Sequence, residues 1–403
     1  MSLKLVMLST MYPGSLDHFY GSHPGTGSMH YDENLESLIS ASAEFAASYT
    51  RSFRKLGIDT ECIIANDPRL QEKWCSGNGY LKLRDEDLLY EQVSSLKPDI
   101  LWIDNLSLVD DSWYRRVRAG IKSIKVFAGY HCSPVNSKVM EGLGGCDIMF
   151  TCTPGLKAQF DSMGKETFLV YHGFDPGIAI TQAGDTGKKN IDLVFSGSLT
   201  TGTNFHQDRI RLIEEIIRSG IDIKLYVNLE NRKRIIAKQA LHHAYSILKK
   251  TGLTAFTDKI KLLEHGKAET ENYSRDLLRR SVPPVYGSDM YSLFARSKIV
   301  LNYHIGVAGE YAGNMRMFEV TGMGSCLLTD NKKNLPELFV PGLEVVAYDN
   351  PHDCIDKIRW LLENDQEREK IALAGRKKTL EMHTVGNRCS TIAGVLMNHI
   401  NKS

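Results

Sequence analysis

Arg316 and Glu319 share a short stretch, Glu310-Tyr-Ala-Gly-Asn-Met-Arg-Met-Phe-Glu-Val-Thr-Gly-Met-Gly-Ser-Cys-Leu-Leu-Thr-Asp330, that reads as an acidic loop, a short helix, a two-glycine stop and a buried strand. A helix N-terminus carries unpaired N–H groups and partial positive charge, so the start of this helix at Asn314 is a natural seat for a phosphate. The Arg316 guanidinium is a planar fork that suits two phosphate oxygens at once. The Glu319 carboxylate is a bidentate acceptor suited to the two hydroxyls of a ribose. Phosphate and ribose recognition on one helix point to a nucleotide-sugar site. The competing use of these residues is structural: an ion pair from Arg316 to Glu310 or Glu319, or a solvated or capping carboxylate at Glu319.

Other residues stand where ligands bind in open α/β sheets, just after strands. Ser196-Gly197-Ser198-Leu-Thr-Thr-Gly202 follows an apolar run and reads as a Gly/Ser loop able to bring backbone N–H groups against a phosphate, or as an ordinary strand-to-helix turn. His131 lies just beyond the apolar run that includes Val126-Phe-Ala-Gly-Tyr. A histidine there offers a hydrogen bond or a proton near neutrality, or is simply a satisfied core residue. Residues 12–31 form a long segment rich in Gly, His and Tyr that reads as a loop. With His30 and Asp32 it is a candidate acceptor-binding element, or a surface loop. Asp104 and Asn105, after Ile100–Ile103, are further candidates for the same cleft.

Three signals are read as structural. Asp85-Glu-Asp87 spells a metal-binding D-x-D, but it opens a helix, where acidic residues complement the dipole. No G-x-G-x-x-G follows the first strand, which argues against a dinucleotide enzyme. The basic run from Arg232 to Lys250 reads as a solvated helix face, with contact to an anionic membrane surface as the other reading. The eight cysteines show no zinc spacing. They read as reduced thiols, several buried in strand-like runs (Cys62, Cys146, Cys152, Cys326).

These residues need elements to hold them. At 403 residues the chain is long enough for two domains, and 42% hydrophobic with 24% charged residues is a globular composition. A formal net charge of +1 argues against a polynucleotide binder. No apolar run reaches the ~20 residues of a membrane span, and Met1–Leu8 reads as a first strand rather than a signal peptide. Short apolar runs alternate with helical patterns, the sign of parallel sheets wrapped by helices. Expected strands are Lys4–Ser9, Asp59–Ala65, Ile100–Ile103, Ser123–Ala128, Ile148–Cys152 and Thr167–Tyr171. After a Gly- and charge-rich break come Ile191–Ser196, Ile221–Val227, Ile260–Leu263, Ile299–Tyr303, Ser325–Thr329 and Glu344–Tyr348. Leu35–Leu56 reads as one helix ended by Gly57. The pattern therefore expects two Rossmann-like α/β domains facing a cleft: residues 1–175, a linker at 176–190, and 191–384.

Asn314-x-Arg316-x-Phe318-Glu319 with Gly322-x-Gly324, then Asn334-Leu-Pro-Glu337-Leu, Gln366–Arg376 and His383-Thr384, resembles the group 1 glycosyltransferases, in particular the spore-maturation CgeB-like branch. The likeness covers most of the C-terminal half. Glu310 and Glu319 have eight residues between them, one more than is usual in the family, so only the ribose role carries over, to Glu319. The resemblance implies the GT-B architecture, with a last helix near 385–403 crossing back to the first domain. It implies a hexosyltransferase-like enzyme that moves a sugar from a nucleotide-diphosphate donor to an acceptor hydroxyl, with anomeric retention and no metal or other cofactor. Gly197, Ser198, Tyr286, Gly287, Asn314, Arg316 and Glu319 would bind the donor. His131 would face the sugar and, with Arg316, take part in the chemistry; His30, Asp32 and Asp104 would meet a glycan, lipid-linked or other hydroxyl acceptor. The setting is cytoplasmic polysaccharide or glycoconjugate synthesis, without nucleic acid and with room for peripheral contact at the inner face of a membrane. A non-catalytic glycan- or nucleotide-binding scaffold and a sugar-nucleotide epimerase remain the alternatives.

Overall fold

A computed structural model describes residues 3–177, 189–200, 204–250, 272–306 and 309–402. The first half runs β1 (Lys4–Ser9), α1 (Pro13–Ser22), a 3-10 turn (Pro24–Ser28), α2 (Tyr31–Ala41), α3 (Phe45–Lys55), β2 (Asp59–Ile64), α4 (Pro68–Gly77), α5 (Asp85–Leu96), β3 (Ile100–Ile103), α6 (Asp111–Gly120), β4 (Val126–Tyr130), α7 (Ser137–Gly145), β5 (Ile148–Thr151), α8 (Pro154–Ser162) and β6 (Glu166–Leu169). The second runs β7 (Ile191–Leu199), α9 (Asn204–Arg218), β8 (Lys224–Leu229), α10 (Arg232–Lys250), α11 (Arg275–Arg280), β9 (Ser281–Val282), α12 (Gly287–Ala295), β10 (Ser297–Leu301), α13 (Met315–Gly322), β11 (Cys326–Asp330), α14 (Leu335–Leu338), β12 (Val346–Tyr348), α15 (Pro351–Glu363), α16 (Asp365–Met382) and α17 (Val385–Lys402).

Each half is one parallel six-stranded sheet, in the orders β2-β1-β3-β4-β5-β6 and β12-β11-β10-β7-β8-β9. The inner strands are apolar on both faces because helices cover both. In β1, Leu5 and Met7 join a cluster with Phe53 of α3, while Val6 and Leu8 pack with Trp113 and Tyr114 of α6. In β7, Leu193 and Phe195 meet Ile213 and Ile216 of α9, while Val194 meets Phe294 and Phe318. The last helix leaves the second half: Cys389, Ile392 and Leu396 of α17 complete the first cluster. The crossing is pinned where Phe174 pairs with Thr384, its N–H donating to His383 O at 2.8 Å and its carbonyl accepting from Val385 N at 2.8 Å. Phe174 is buried in the second core against Gly322, where a Cβ would fall 2.4 Å from its ring.

Several expectations change. Residues 12–31 are mostly ordered as α1 and the 3-10 turn rather than a loop, because Leu16, Phe19 and Tyr20 recur on one face and bury it. Leu35–Leu56 is two helices, broken at Ser42-Ala43-Glu44, where the Ser42 hydroxyl accepts from the Glu44 N–H at 3.1 Å. Gly197 and Ser198 belong to β7, paired with Val227 and Asn228, not to the loop beyond it. Cys132 and Cys152 are joined as a disulfide, since β4 and β5 are neighbours and bring their Cα atoms to 5.6 Å. The other six cysteines are free and buried. Strand Ile260–Leu263, Gly202 and most of the 176–190 linker lie outside the described residues. Among those described, no helix is long and apolar enough to cross a membrane.

Candidate active site

In each sheet the strand order reverses beside its first strand, and such a switch point opens a crevice at the carboxyl ends of the strands. In the second sheet the crevice lies between β7 and β10. Arg209 of α9 fills its floor, donating to the carbonyls of Ser198 (3.0 Å) and Tyr303 (2.6 Å) at the ends of those two strands. It is 9% exposed, lies over the Phe195 ring, and its Nε has no partner among the described residues. Burial pulls its pKa down to about 10, against the pull of Asp330, so it stays a cation at neutral pH. Two carbonyls orient this guanidinium without neutralising it, which leaves a buried positive charge facing the crevice.

The turn into α13 is braced from behind. His304 Nε2 accepts from the Gly313 N–H at 3.4 Å, so its Nδ1–H must be the donor to Asp330 Oδ1 at 2.7 Å. Burial pushes Asp330 up, but His304 and Lys332 together hold it below the ordinary carboxylate value. Asn334 grips the Ala312 backbone through both its N–H (2.6 Å) and its carbonyl (3.0 Å), and Asn314 is tied to Asn302. Gly313 is required here: its φ is +153°, and a Cβ would fall 2.7 Å from the Cys152 carbonyl of the first sheet. The Asn314 side chain does not cap the helix, so the Met315 and Arg316 amides have no acceptor among the described residues. Arg316 lies over the Phe294 ring and donates to Glu319 Oε2 at 2.8 Å. Glu319 is 5% exposed; burial raises its pKa and Arg316 opposes the rise. Glu310 is not part of this cluster but an exposed partner of Lys333.

The first sheet contributes carboxyls. Asp104, just past β3, accepts from the Ser9 hydroxyl at the end of β1, across that sheet's switch point. Its Oδ1 is buried without a partner among the described residues, and burial pushes its pKa up to about 7. Glu44, at the start of α3, accepts the Tyr12 N–H at 3.0 Å. Burial lifts it to about 7 as well, the nearby Glu319 charge adding to the rise. Glu44 and Arg209 were not legible in the sequence: one falls inside an apparent continuous helix, the other inside an amphipathic one, and no local pattern marks either.

The remaining expected residues are more scattered. His131, just past β4, is 5% exposed, faces Phe160 and has Nε2 3.2 Å from the Ser133 hydroxyl. Burial lowers its pKa, against hydrogen bonds at Pro134 and Ser133. Tyr286 packs its ring on Gly14 of α1, where a Cβ would fall 2.5 Å away, and Gly287 opens α12 with φ +52°. His30 and Asp32 are not brought to the cleft. They begin α2, whose 11 residues span about 16 Å before the chain turns back at Glu44. Among the described residues, Cys132, Cys152 and His172 are the one group of metal-capable side chains placed together, and the disulfide uses both sulfurs.

Two parallel α/β sheets facing a cleft, with a terminal helix returning to the first, define the GT-B architecture. Residues 249–394 match the family model described as glycosyl transferase-like. No curated protein matches the sequence significantly. Solved structures of similar fold include AviGT4, a glycosyltransferase involved in avilamycin A biosynthesis (TM-score 0.54, 13% identity, 100% of this chain and 99% of that one). Anabaena Alr3699/HepE, solved with UDP and glucose, is similar over 98% of this chain and 99% of its own (TM-score 0.52, 13% identity). Sucrose-phosphate synthase from Thermosynechococcus elongatus is similar over 100% of both chains (TM-score 0.54, 8% identity).

Proposed function

We propose that this protein is a hexosyltransferase-like enzyme that transfers a sugar from a nucleotide-diphosphate donor to an acceptor hydroxyl. The observation that carries the proposal is the convergence, at one switch point, of the buried Arg209 cation, which makes no direct ion pair among the described residues, the open N-terminus of α13 and the Arg316–Glu319 pair. Its α13 residues lie within the segment 249–394 matched by the glycosyl transferase-like family. Glu319 takes the ribose, for which Oε1 remains after Oε2 has accepted Arg316. The α13 amides, Arg316, Arg209 and the Gly197–Ser198 strand end surround the diphosphate; Asn314 holds the helix start, and Tyr286 and Gly287 border the site.

The main demand of the reaction is to stabilise charge on the departing diphosphate, and preoriented dipoles and guanidinium groups in a water-poor cleft do this with little reorganisation. These cations make the transfer metal-independent in this reading, and the family resemblance favours retention. The acceptor hydroxyl must shed a proton. Glu44 and Asp104 are both poised near neutrality; Glu44 is the one that feels the charge of Glu319 on the donor helix, with Asp104 behind it, and Glu44 is the base we assign. His131, kept neutral, offers the sugar a hydrogen bond rather than a proton. A cytoplasmic setting, with α10 as a basic face for peripheral membrane contact, completes the reading.

A thermal-shift screen against UDP-, GDP-, dTDP-, ADP- and CMP-linked sugars tests the donor site, with UDP-sugars first because the similar Anabaena protein was solved with UDP. One nucleotide family is expected to raise Tm, by about 2.7 kcal/mol of added stability at a hundredfold excess over Kd. No shift from any of them overturns the proposal.

A further inference from the structure

A second concavity, of about 1200 Å³, lies away from the cleft, along the outer edge of β2 between α2, α4 and α5. Strand β2 is the edge of the first sheet, so its outward backbone groups have no neighbouring strand. Because Ala65 N–H donates to Ser9 O of β1, alternation turns Thr60, Cys62 and Ile64 outward. The Thr60 carbonyl is taken by Arg54 and the Ile64 carbonyl by Gln71. Among the described residues this leaves the Cys62 carbonyl as the outward acceptor and the N–H groups of Thr60, Cys62 and Ile64 as donors, an edge with its flanking carbonyls blocked that still offers hydrogen bonds to a ligand.

The walls are polar and buried. Gln92 of α5 is 1% exposed, lines the concavity, and neither atom of its carboxamide has a hydrogen-bond partner among the described residues. Asn34 of α2 is fully buried in the opposite wall, its amide against the Tyr20 hydroxyl and its carbonyl oxygen without a partner among the described residues. Buried carboxamide atoms without partners are costly, and a protein that keeps them on two sides of one space, both atoms of Gln92 and the carbonyl of Asn34, has a polar occupant for it. Each carboxamide presents a donor and an acceptor side by side, the complement of a pair of adjacent hydroxyls. Trp74, stacked on Tyr80, adds an aromatic wall. The lining charges nearly cancel, with Asp32, Glu61 and Glu72 against Arg69 and Lys73, so the groove presents no strong field of either sign to select a charged ligand. The volume exceeds the ~300–1,000 Å³ of pockets for a single drug-sized molecule.

We propose that this groove is a second carbohydrate site, which holds a neutral oligosaccharide through Gln92, Asn34 and the Cys62 peptide. It also gives His30 and Asp32 a place, as lining of this groove rather than of the cleft. The proposal does not depend on the transferase reading, because binding here is measured without turnover. The test is calorimetric titration of the full-length protein with maltotriose and chitotriose, repeated for Gln92→Leu and Asn34→Leu. At least one trisaccharide is expected to bind, and each variant to weaken it tenfold or more while nucleotide-sugar binding in the cleft is unchanged. Tm of Gln92→Leu should hold or rise, since that variant removes an unpartnered amide. A failure of both trisaccharides to bind at millimolar concentration overturns the proposal. So does equal affinity for wild type and for folded Gln92→Leu.

Discussion

Replacing Glu319 by glutamine tests the donor site with the least disturbance. The side chain is 5% exposed and accepts from Arg316 at 2.8 Å. Glutamine keeps its volume and a carbonyl oxygen for that contact, and Arg316 keeps its place over the Phe294 ring at 4.8 Å. The stability cost should therefore fall well below the ~3–5 kcal/mol of stripping a buried ion of its partner. A loss of about 1 kcal/mol corresponds to roughly 2–4 °C in Tm for a domain of this size. The nucleotide loses more. A hydrogen bond to a charged group contributes ~1.5–3 kcal/mol and a neutral one about 1 kcal/mol. Converting two ribose contacts from charged to neutral thus costs about 2 kcal/mol, roughly thirtyfold in Kd. Isothermal titration with the nucleoside diphosphate selected by the thermal-shift screen reads this directly, with inorganic pyrophosphate as a ribose-free control that should bind alike to both proteins. A nucleotide Kd within twofold of wild type, in a variant that is still folded, refutes the ribose assignment.

Glu44→Gln tests the proton acceptor. Burial raises the Glu44 pKa from an ordinary 4.5 to about 7, so the fold favours its protonated form. That stabilisation is complete below about 4.5 and is lost as pH rises through about 7. The glutamine variant should therefore gain Tm on wild type at pH 8 but not at pH 4, while its turnover falls ~100-fold or more. Wild-type turnover should climb through about pH 7, where Asp104 also titrates; a flat profile would remove both from the chemistry. Arg209→Met should weaken a nucleoside diphosphate at least ~tenfold and leave the nucleoside alone, because the guanidinium faces phosphate in this reading; equal weakening of both would place it elsewhere. Phe174→Ala opens a cavity between the Gly322 turn and Tyr291, for about 3–5 kcal/mol, so calorimetry should show Tm lower by roughly 6 °C or more.

The legible parts of this chain are those encoded by neighbours in sequence. The alternating apolar runs identify eleven of the twelve described strands to within a few residues, because a strand buried on both faces must be apolar along its length. The exception has a local cause: strand β9 is two residues long, too short to show a pattern. The break at Ser42-Ala43-Glu44 was hidden because serine and alanine do not interrupt a helical period, and only the side-chain cap at Ser42 turns the chain. The cysteine pair was hidden because residues 132 and 152 are neighbours only after β4 and β5 align.

The same division runs through the site. Asn314, Arg316 and Glu319 declare themselves in the sequence because one helix start brings them together: three residues apart, the arginine and the carboxylate share a face whatever the rest of the chain does. Everything that depends on distance between segments was decided by the tertiary structure. It carries Arg209 from a helix face to the floor of the β7–β10 crevice, and it buries Glu44 and Asp104 until their acidity nears neutrality. It also sends His30 and Asp32 one helix length away, to a groove of their own. Spacing along a chain encodes which groups can share a helix or a strand; burial and charge, which set what those groups do, arise only when separate elements meet.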